Sequence, residues 1–335
     1  MTTCGNHSYH SSIALAMNVL IIHAHHEPRS FSSALKDRAV ATLTRLGHEV
    51  EISDLYAMGF NPISDRRNFT TVADSASLKQ QREETYAAEH DGFASELVAE
   101  MEKVLHADLL IFNFPLWWFG MPATLKGWVD RVFAYGKMYG AGKLYENGVG
   151  RGKRALVTIT TGGASGTYNG YGYNPSMAEI LTPIHHGIFW FNGFAPLPPF
   201  IAYSVAHVGD DKRGRLLDDY ERYLSTLDEQ RPIVLPPMRD FEGDAIADRF
   251  GRWMVEARNA SELDETRVAE LQRDGKILAF WSSRDDDLEP VAWFVLRAEF
   301  RKSAEAIAQT LRRGDAAGFV IREITRSGTA ELAAT

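Results

Sequence analysis

From Asn18 onward, short apolar runs alternate with stretches of helical spacing. Val19-Leu20-Ile21-Ile22 is the kind of run a parallel strand carries when both of its faces are covered. Ala34 to Leu46 has helical spacing and stops at Gly47, and His48 to Ser53 alternates as an edge strand does. A polar excursion from about Met58 to Asp91 precedes a helix at Glu96 to Leu105. Asp108 to Phe114 reads as the central strand, followed by a helix at Pro122 to Phe133 and a glycine-rich loop reaching Gly152. Arg154 to Thr161 is the next strand, Met177 to Ile188 a helix, Ala195 to Tyr203 a strand and Asp211 to Leu227 a helix. Strands that alternate with helices in this way predict an α/β, doubly wound, five-stranded parallel sheet.

The Pro-rich segment Arg231 to Pro237 reads as a boundary. Beyond it the pattern predicts a helix at Asp264–Arg273, strands at Lys276–Trp281 and Val291–Leu296, a helix at Ser303–Arg312 and a strand at Phe319–Ile324. That order is compatible with a small α+β, ferredoxin-like domain. The expected division is a disordered extension over 1–16, a main domain over 17–238 and the small domain over 239–335, with Met17 as an alternative start. For the main domain, five strands at this spacing fit the flavodoxin-like order better than the six-stranded dinucleotide fold.

Charge and composition narrow the partners. Thirty-six Lys+Arg against 44 Asp+Glu give a net charge of −8, which argues against a nucleic-acid groove or an anionic membrane surface. The one cysteine, Cys4, excludes an intrachain disulfide framework and points to a cytoplasmic compartment. No run approaches the roughly 18 apolar residues of a membrane span. His23, His25 and His26, and the pair His185-His186, lack carboxylate or Cys partners at ligand spacing, so no metal site is expected. Asp285-Asp286-Asp287 with Glu289 lacks EF-hand spacing and reads as a solvated hairpin tip.

In an open parallel sheet ligands bind beyond the carboxyl ends of the strands. After the first strand comes His25-His26-Glu27-Pro28-Arg29-Ser30-Phe31-Ser32, leading into a helix, a combination suited to a phosphate group. It is neither a Walker loop nor a G-x-G-x-x-G fingerprint. After the central strand, Pro115-Leu116-Trp117-Trp118-Phe119-Gly120 puts three adjacent aromatics on a loop, a flat wall for a planar ring. After the fourth strand, Thr160-Thr161-Gly162-Gly163 leads to Tyr168, and its backbone amides suit an electron-rich ring edge.

These segments resemble the NAD(P)H:quinone oxidoreductases of the DT-diaphorase type. The likeness is carried by Ala24-His25, Ser30-Phe31, Ser53-Asp54-Leu55-Tyr56-Ala57-Met58-Gly59-Phe60-Asn61-Pro62 and Phe114-Pro115-Leu116-Trp117-Trp118-Phe119-Gly120. Leu125-Lys126-Gly127-Trp128, Ile159-Thr160-Thr161-Gly162-Gly163 and Tyr203-Ser204-Val205-Ala206-His207 add to it, in the family's order, over roughly 18–235. The resemblance implies bound FAD in preference to FMN, NAD(P)H as co-substrate, a quinone or aromatic acceptor, ping-pong hydride transfer and a homodimer with active sites at the subunit boundary. It assigns His25, Ser30, Phe31 and Ser32 to the pyrophosphate loop. Pro115, Leu116, Trp117, Trp118 and Phe119 fall to the isoalloxazine wall, and Thr160, Thr161, Gly162, Gly163 and Tyr168 to the pyrimidine edge. Arg213 falls towards the adenine end.

Tyr168, Asn174, Gly162 and Gly163 take the catalytic positions, and Trp118, Phe119, Tyr139, Asn174 and Phe191 the substrate positions. There are four departures: Ser32 stands where the family often has Asn, Trp117 where animal relatives carry Gln, Asn174 where they carry His, and Ala141 where they carry Tyr. Asn donates a hydrogen bond but gains no proton near neutral pH, so the protonation route differs. Azo- or nitroaromatic reduction on the same fold, and a flavodoxin-like regulatory subunit, are the alternatives. The region beyond about 240 has no counterpart in the family.

Overall fold

The computed structural model describes residues 16–140, 142–168, 174–235 and 238, with 241–242, 245–246, 251–258, 264–274, 276–283, 291–298, 307–308, 311 and 319–323 beyond. Residues 1–15 of the extension expected over 1–16, Ala141, the acidic run Asp285–Asp287 with Glu289, and most of the expected helix Ser303–Arg312 lie outside the described residues. The chain divides into two compact units: Met1–Ala141, Gly152–Gly162 and Leu197–Arg231, and then Gly142–Arg151, Gly163–Pro196 and Pro232–Thr335.

The first unit is built on strands β1 (Asn18–His23), β2 (Glu49–Asp54), β3 (Leu109–Pro115) and β4 (Arg154–Thr160). After the two-residue β5 (Ala195–Pro196), which belongs to the second unit, β6 (Phe200–Ala202) completes it. Within the first unit the spatial order is β2-β1-β3-β4-β6, with every adjoining pair parallel. The single fifth strand expected over Ala195–Tyr203 is broken because Pro198 and Pro199 have no amide hydrogen to donate to a ladder.

Alternation along β1 divides the core. Val19 and Ile21 face helix α1 (Phe31–Arg45), and together with Leu35, Leu43, Ile111, Leu156, Tyr220 and Leu224 they form one fully buried cluster. Tyr220 and Leu224 belong to α6 (Asp210–Ser225), which packs beside α1. The opposite face of the sheet meets α3 (Ser95–His106) and α4 (Ala123–Val132), where the Phe112 and Trp128 rings stand edge to face at 5.9 Å.

The polar excursion contains a helix the hydrophobic pattern does not show, α2 (Gln80–Glu89). Its anchors are carboxylates: Glu83 accepts the amides of Ala73 and Asp74, and Glu84 accepts that of Tyr135. Arg131, fully buried on α4, ties the same region down through Asn68, the Asn61 carbonyl and Glu96. Gly127 lets this loop approach closely, since a Cβ there would stand 2.2 Å from the Pro62 carbonyl.

In the second unit, α5 (Met177–Ile184) opens on a capping box between Ser176 and Glu179. It continues into a π-helical turn, His185–Trp190, so the α-helix expected to reach Ile188 ends four residues earlier. Further on, a short hairpin pairs β7 (Phe241–Glu242) with β8 (Ala245–Ile246). A separate antiparallel sheet is then formed by β9 (Gly251–Arg258), β10 (Ile277–Ser283), β11 (Val291–Ala298) and β12 (Phe319–Glu323), in the order β10-β11-β9-β12. Helix α7 (Glu265–Arg273), capped by Asp264, lies between β9 and β10 in the chain, and β11 separates those two strands in the sheet, a split β-α-β connection. The sequence pattern shows the later strands but not β9.

Candidate functional site at the sheet rim

The loops after β1, β3 and β4 share the carboxyl rim of one parallel sheet. After β1, Ser30 caps α1 by accepting the Ser33 amide at 3.1 Å. The next two amides, of Phe31 and Ser32, have no partner among the described residues and present the positive end of α1 to the rim. The Ser32 hydroxyl lies 2.8 Å from that of Thr160, fastening the start of α1 to the end of β4. His25 Nδ1 accepts the Glu27 amide at 3.0 Å, which leaves Nε2 as the protonated, donating nitrogen. Burial, and then the neighbouring His26 and His23, hold His25 below its ordinary pKa, so it donates as a neutral imidazole.

After β3 the chain folds back on itself. Trp117 and Gly120 exchange both backbone hydrogen bonds, at 3.1 and 2.9 Å, around Trp118 and Phe119. Those two residues have φ of 53° and 56°, a tight turn in the left-handed region that bulky side chains rarely adopt. The turn holds Trp118 almost wholly in solvent, at 98% exposure, with Phe119 and Trp117 half exposed. Trp117 lies against the stacked pair His25 and His26, with ring centroids 6.1 and 5.8 Å away, and Tyr56 meets His26 edge-on.

After β4, Thr160 and Thr161 are buried, and Thr161 is fixed through the Ala202 carbonyl and the Val205 amide. At Gly162 a Cβ would meet nothing within 4 Å, so the backbone borders open space. Leu116, which follows Pro115 at the end of β3, is held to the Thr160 carbonyl through its amide. Arg213 stands near the start of α6, its guanidinium on the Val205 carbonyl and Asp210. Tyr139 is half-buried, its ring edge-on to Tyr135, with its hydroxyl receiving a 3.4 Å bond from Gln81.

The remaining predicted residues are in the second unit. Tyr168 stands over Gly163 so closely that a Cβ on the glycine would meet its hydroxyl at 2.9 Å. Asn174 is half-buried just before α5, and Phe191 packs edge-on to Tyr145. Among the described residues no three His, Cys, Asp or Glu side chains converge as a metal cage, and no helix is long and apolar enough to cross a membrane.

The sheet that carries this rim, and the sequence that builds it, have counterparts among known proteins. Residues 17–227 match the family model described as a flavodoxin-like fold. The chain is 40% identical over 224 residues to NAD(P)H dehydrogenase [quinone] 1 of Rattus norvegicus, covering 67% of this chain and 82% of that protein. This chain belongs to the NAD(P)H:quinone oxidoreductase family. It is also 38% identical over 216 residues to the ribosyldihydronicotinamide dehydrogenase [quinone] of Pongo abelii, covering 64% of this chain and 94% of the relative. A solved structure from Klebsiella pneumoniae, assigned as a quinone reductase, superposes with a TM-score of 0.64 at 35% identity, over 69% of this chain and 92% of the other.

Membership in this family implies a flavin, and the rim fits one. Two open amides and the Ser30 and Ser32 hydroxyls suit a phosphate chain, the Trp117–Phe119 turn suits a flat ring, and Gly162 leaves room beside it. Sequence reasoning missed Ser33 and Asn113, which hold His23 beneath this loop. The signal available was a third serine, directly after Ser30 and Ser32.

Proposed function

We propose that this chain is an FAD-dependent enzyme that reduces quinones with electrons from NAD(P)H. The observation that carries the reading is the meeting, on one rim, of the unpartnered Phe31 and Ser32 amides with the exposed Trp118–Phe119 turn. When bound, the flavin supplies two-electron chemistry, accepting hydride from NAD(P)H and passing it to the quinone. The chain's own residues bind and orient. The α1 amides, Ser30, Ser32 and the His25 Nε2 hydrogen receive the diphosphate, and Trp117, Trp118 and Phe119 wall the ring system. Thr161 and Gly162 line its pyrimidine edge, and Arg213 stands towards the adenine. By the same resemblance Gly163 and Tyr168 continue that edge, Tyr168, Asn174, Gly162 and Gly163 take the catalytic positions, and Trp118, Phe119, Tyr139, Asn174 and Phe191 receive the acceptor, with Asn174 as a hydrogen-bond donor that holds no exchangeable charge.

The reading extends to a homodimer, a cytoplasmic location, a separate domain beyond about residue 238 and a single pocket used in turn by both substrates. The test begins with the absorbance spectrum of the purified protein and chromatography of the flavin it releases. The expected result is one FAD per chain. NAD(P)H oxidation with menadione is then expected without any partner protein, with parallel double-reciprocal lines at several NAD(P)H concentrations. A colourless chain that takes up no FAD overturns the reading. Intersecting lines overturn the shared pocket, and flavin binding without turnover points to the regulatory alternative. Trp118→Ala should weaken FAD binding about fivefold, the effect of losing roughly 1 kcal/mol of ring stacking.

A further inference from the structure

Beneath the phosphate loop lies a buried polar chain that plain cofactor binding does not need. His23, the last residue of β1, is 1% exposed. Its Nδ1 lies 2.7 Å from Asn113 Oδ1 on β3, and its Nε2 lies 3.2 Å from the Ser33 hydroxyl on α1. That hydroxyl lies 3.0 Å from the Glu27 carbonyl and 3.0 Å from the Ser30 hydroxyl, at the point where α1 begins. One line of contacts therefore runs Asn113–His23–Ser33–Ser30 from the middle of the sheet to the rim.

Counting hydrogens along this line gives it two states. With His23 neutral and protonated on Nδ1, the Ser33 hydroxyl has one hydrogen for two acceptors, His23 Nε2 and the Glu27 carbonyl. Ser33 can give it to Nε2, since the Glu27 carbonyl keeps the Ser30 amide at 3.1 Å, and the Ser30 hydroxyl then donates inward to Ser33. With His23 protonated on both nitrogens, Nδ1 donates to Asn113 and Nε2 donates to Ser33. Ser33 then donates to Glu27, and the Ser30 hydroxyl hydrogen is left to point outward. Two things oppose this second state in the free protein: its charge stands buried under the positive end of α1, and the Ser30 hydrogen loses Ser33 as its acceptor. A phosphate group seated at that helix start supplies the missing negative charge.

We infer that His23 is a proton-coupled positioning residue: it takes up one proton when a diphosphate-bearing ligand binds at the start of α1, and it turns Ser30 towards that ligand. This rests on the flavin reading above and adds to it a linkage between cofactor binding and pH. In the free protein, burial holds His23 below its ordinary pKa, and the Asn113 bond opposes that only in part. Asp54 at the end of β2 and Asp37 on α1 favour the charged form, and Lys36 on α1 disfavours it. On α3, Glu100 and Lys103 are paired with each other, with Trp128 and Ser53 as their further partners. His25 is the other imidazole near the loop, so the test must separate the two.

The experiment is calorimetric titration of the flavin-free, full-length protein with FAD at pH 7, in two buffers of different ionisation enthalpy. The difference in apparent enthalpy reads the protons taken up. The expected result is uptake of between a half and one proton per FAD in the wild type and in His25→Gln, and less than a fifth of a proton in His23→Leu and in Ser33→Ala. Riboflavin, which has no phosphate, should bind with no uptake in any of them. If FAD binds the wild type without proton uptake, the coupling is overturned while the flavin reading stands. Uptake that persists in both His23→Leu and Ser33→Ala, or that vanishes in His25→Gln alone, also overturns it. If FAD does not bind at all, both fall. Should His23→Leu fail to fold, Ser33→Ala and the FAD-induced shift of the His23 imidazole signals by NMR carry the same decision.

Discussion

His185 is buried in the π-helical turn, and its Nε2 has no partner among the described residues. Burial alone lowers its pKa to about 4. An unfolded histidine titrates near 6.5, so between these values the unfolded chain binds the extra proton and the folded chain does not. The contribution is therefore fully present above about pH 6.5 and is lost as pH falls towards 4, on the order of 3 kcal/mol in all. Urea unfolding of wild type and His185→Leu across this range should show the wild type losing ground to the variant with acidification. A gap independent of pH contradicts the assignment. At this scale the sequence was legible where residue type determines placement: Trp118 on a loop, Thr160 at a strand end. It was opaque for His23 and His185, because burial depends on neighbours brought in from far along the chain. His23 lies on Asn113, ninety positions away.

Among the elements, the turn at Trp118 and Phe119 sets local strain against function. Two bulky residues in left-handed backbone cost about 1 kcal/mol each, a position that Asn-Gly fills without strain. Trp118→Asn with Phe119→Gly should therefore raise the unfolding free energy of the flavin-free protein by about 1–2 kcal/mol while weakening FAD retention. Thermal melts without and with FAD check the two signs together, and a loss of stability in both contradicts the account. The elements that the sequence showed are those built on apolar periodicity: β1, β3, β4, α1 and α6. Helix α2 was hidden because it is anchored by Glu83 and Glu84 on backbone amides, so its pattern reads as solvent-facing. The fifth strand was read as continuous because hydropathy does not register the amide hydrogens missing at Pro198 and Pro199. Strand β9 was missed because charged Arg252, Glu256 and Arg258 flank its short apolar run.

For the molecule as a whole, the family match ends at residue 227 and the antiparallel sheet begins at Gly251. A chain ending after Leu235 should therefore fold and keep one FAD, with altered oligomeric state or acceptor range. Flavin stoichiometry and light scattering on the shortened protein measure both. A folded product with no FAD contradicts it. The edges of the parallel sheet carry a last consequence. On one side, β2 turns Glu49 and Glu51 outward, and on the other β6 follows two prolines. Neither margin offers a neutral, uninterrupted ladder to an incoming strand, so this sheet gives crowded or partly opened copies little means of zipping together through it.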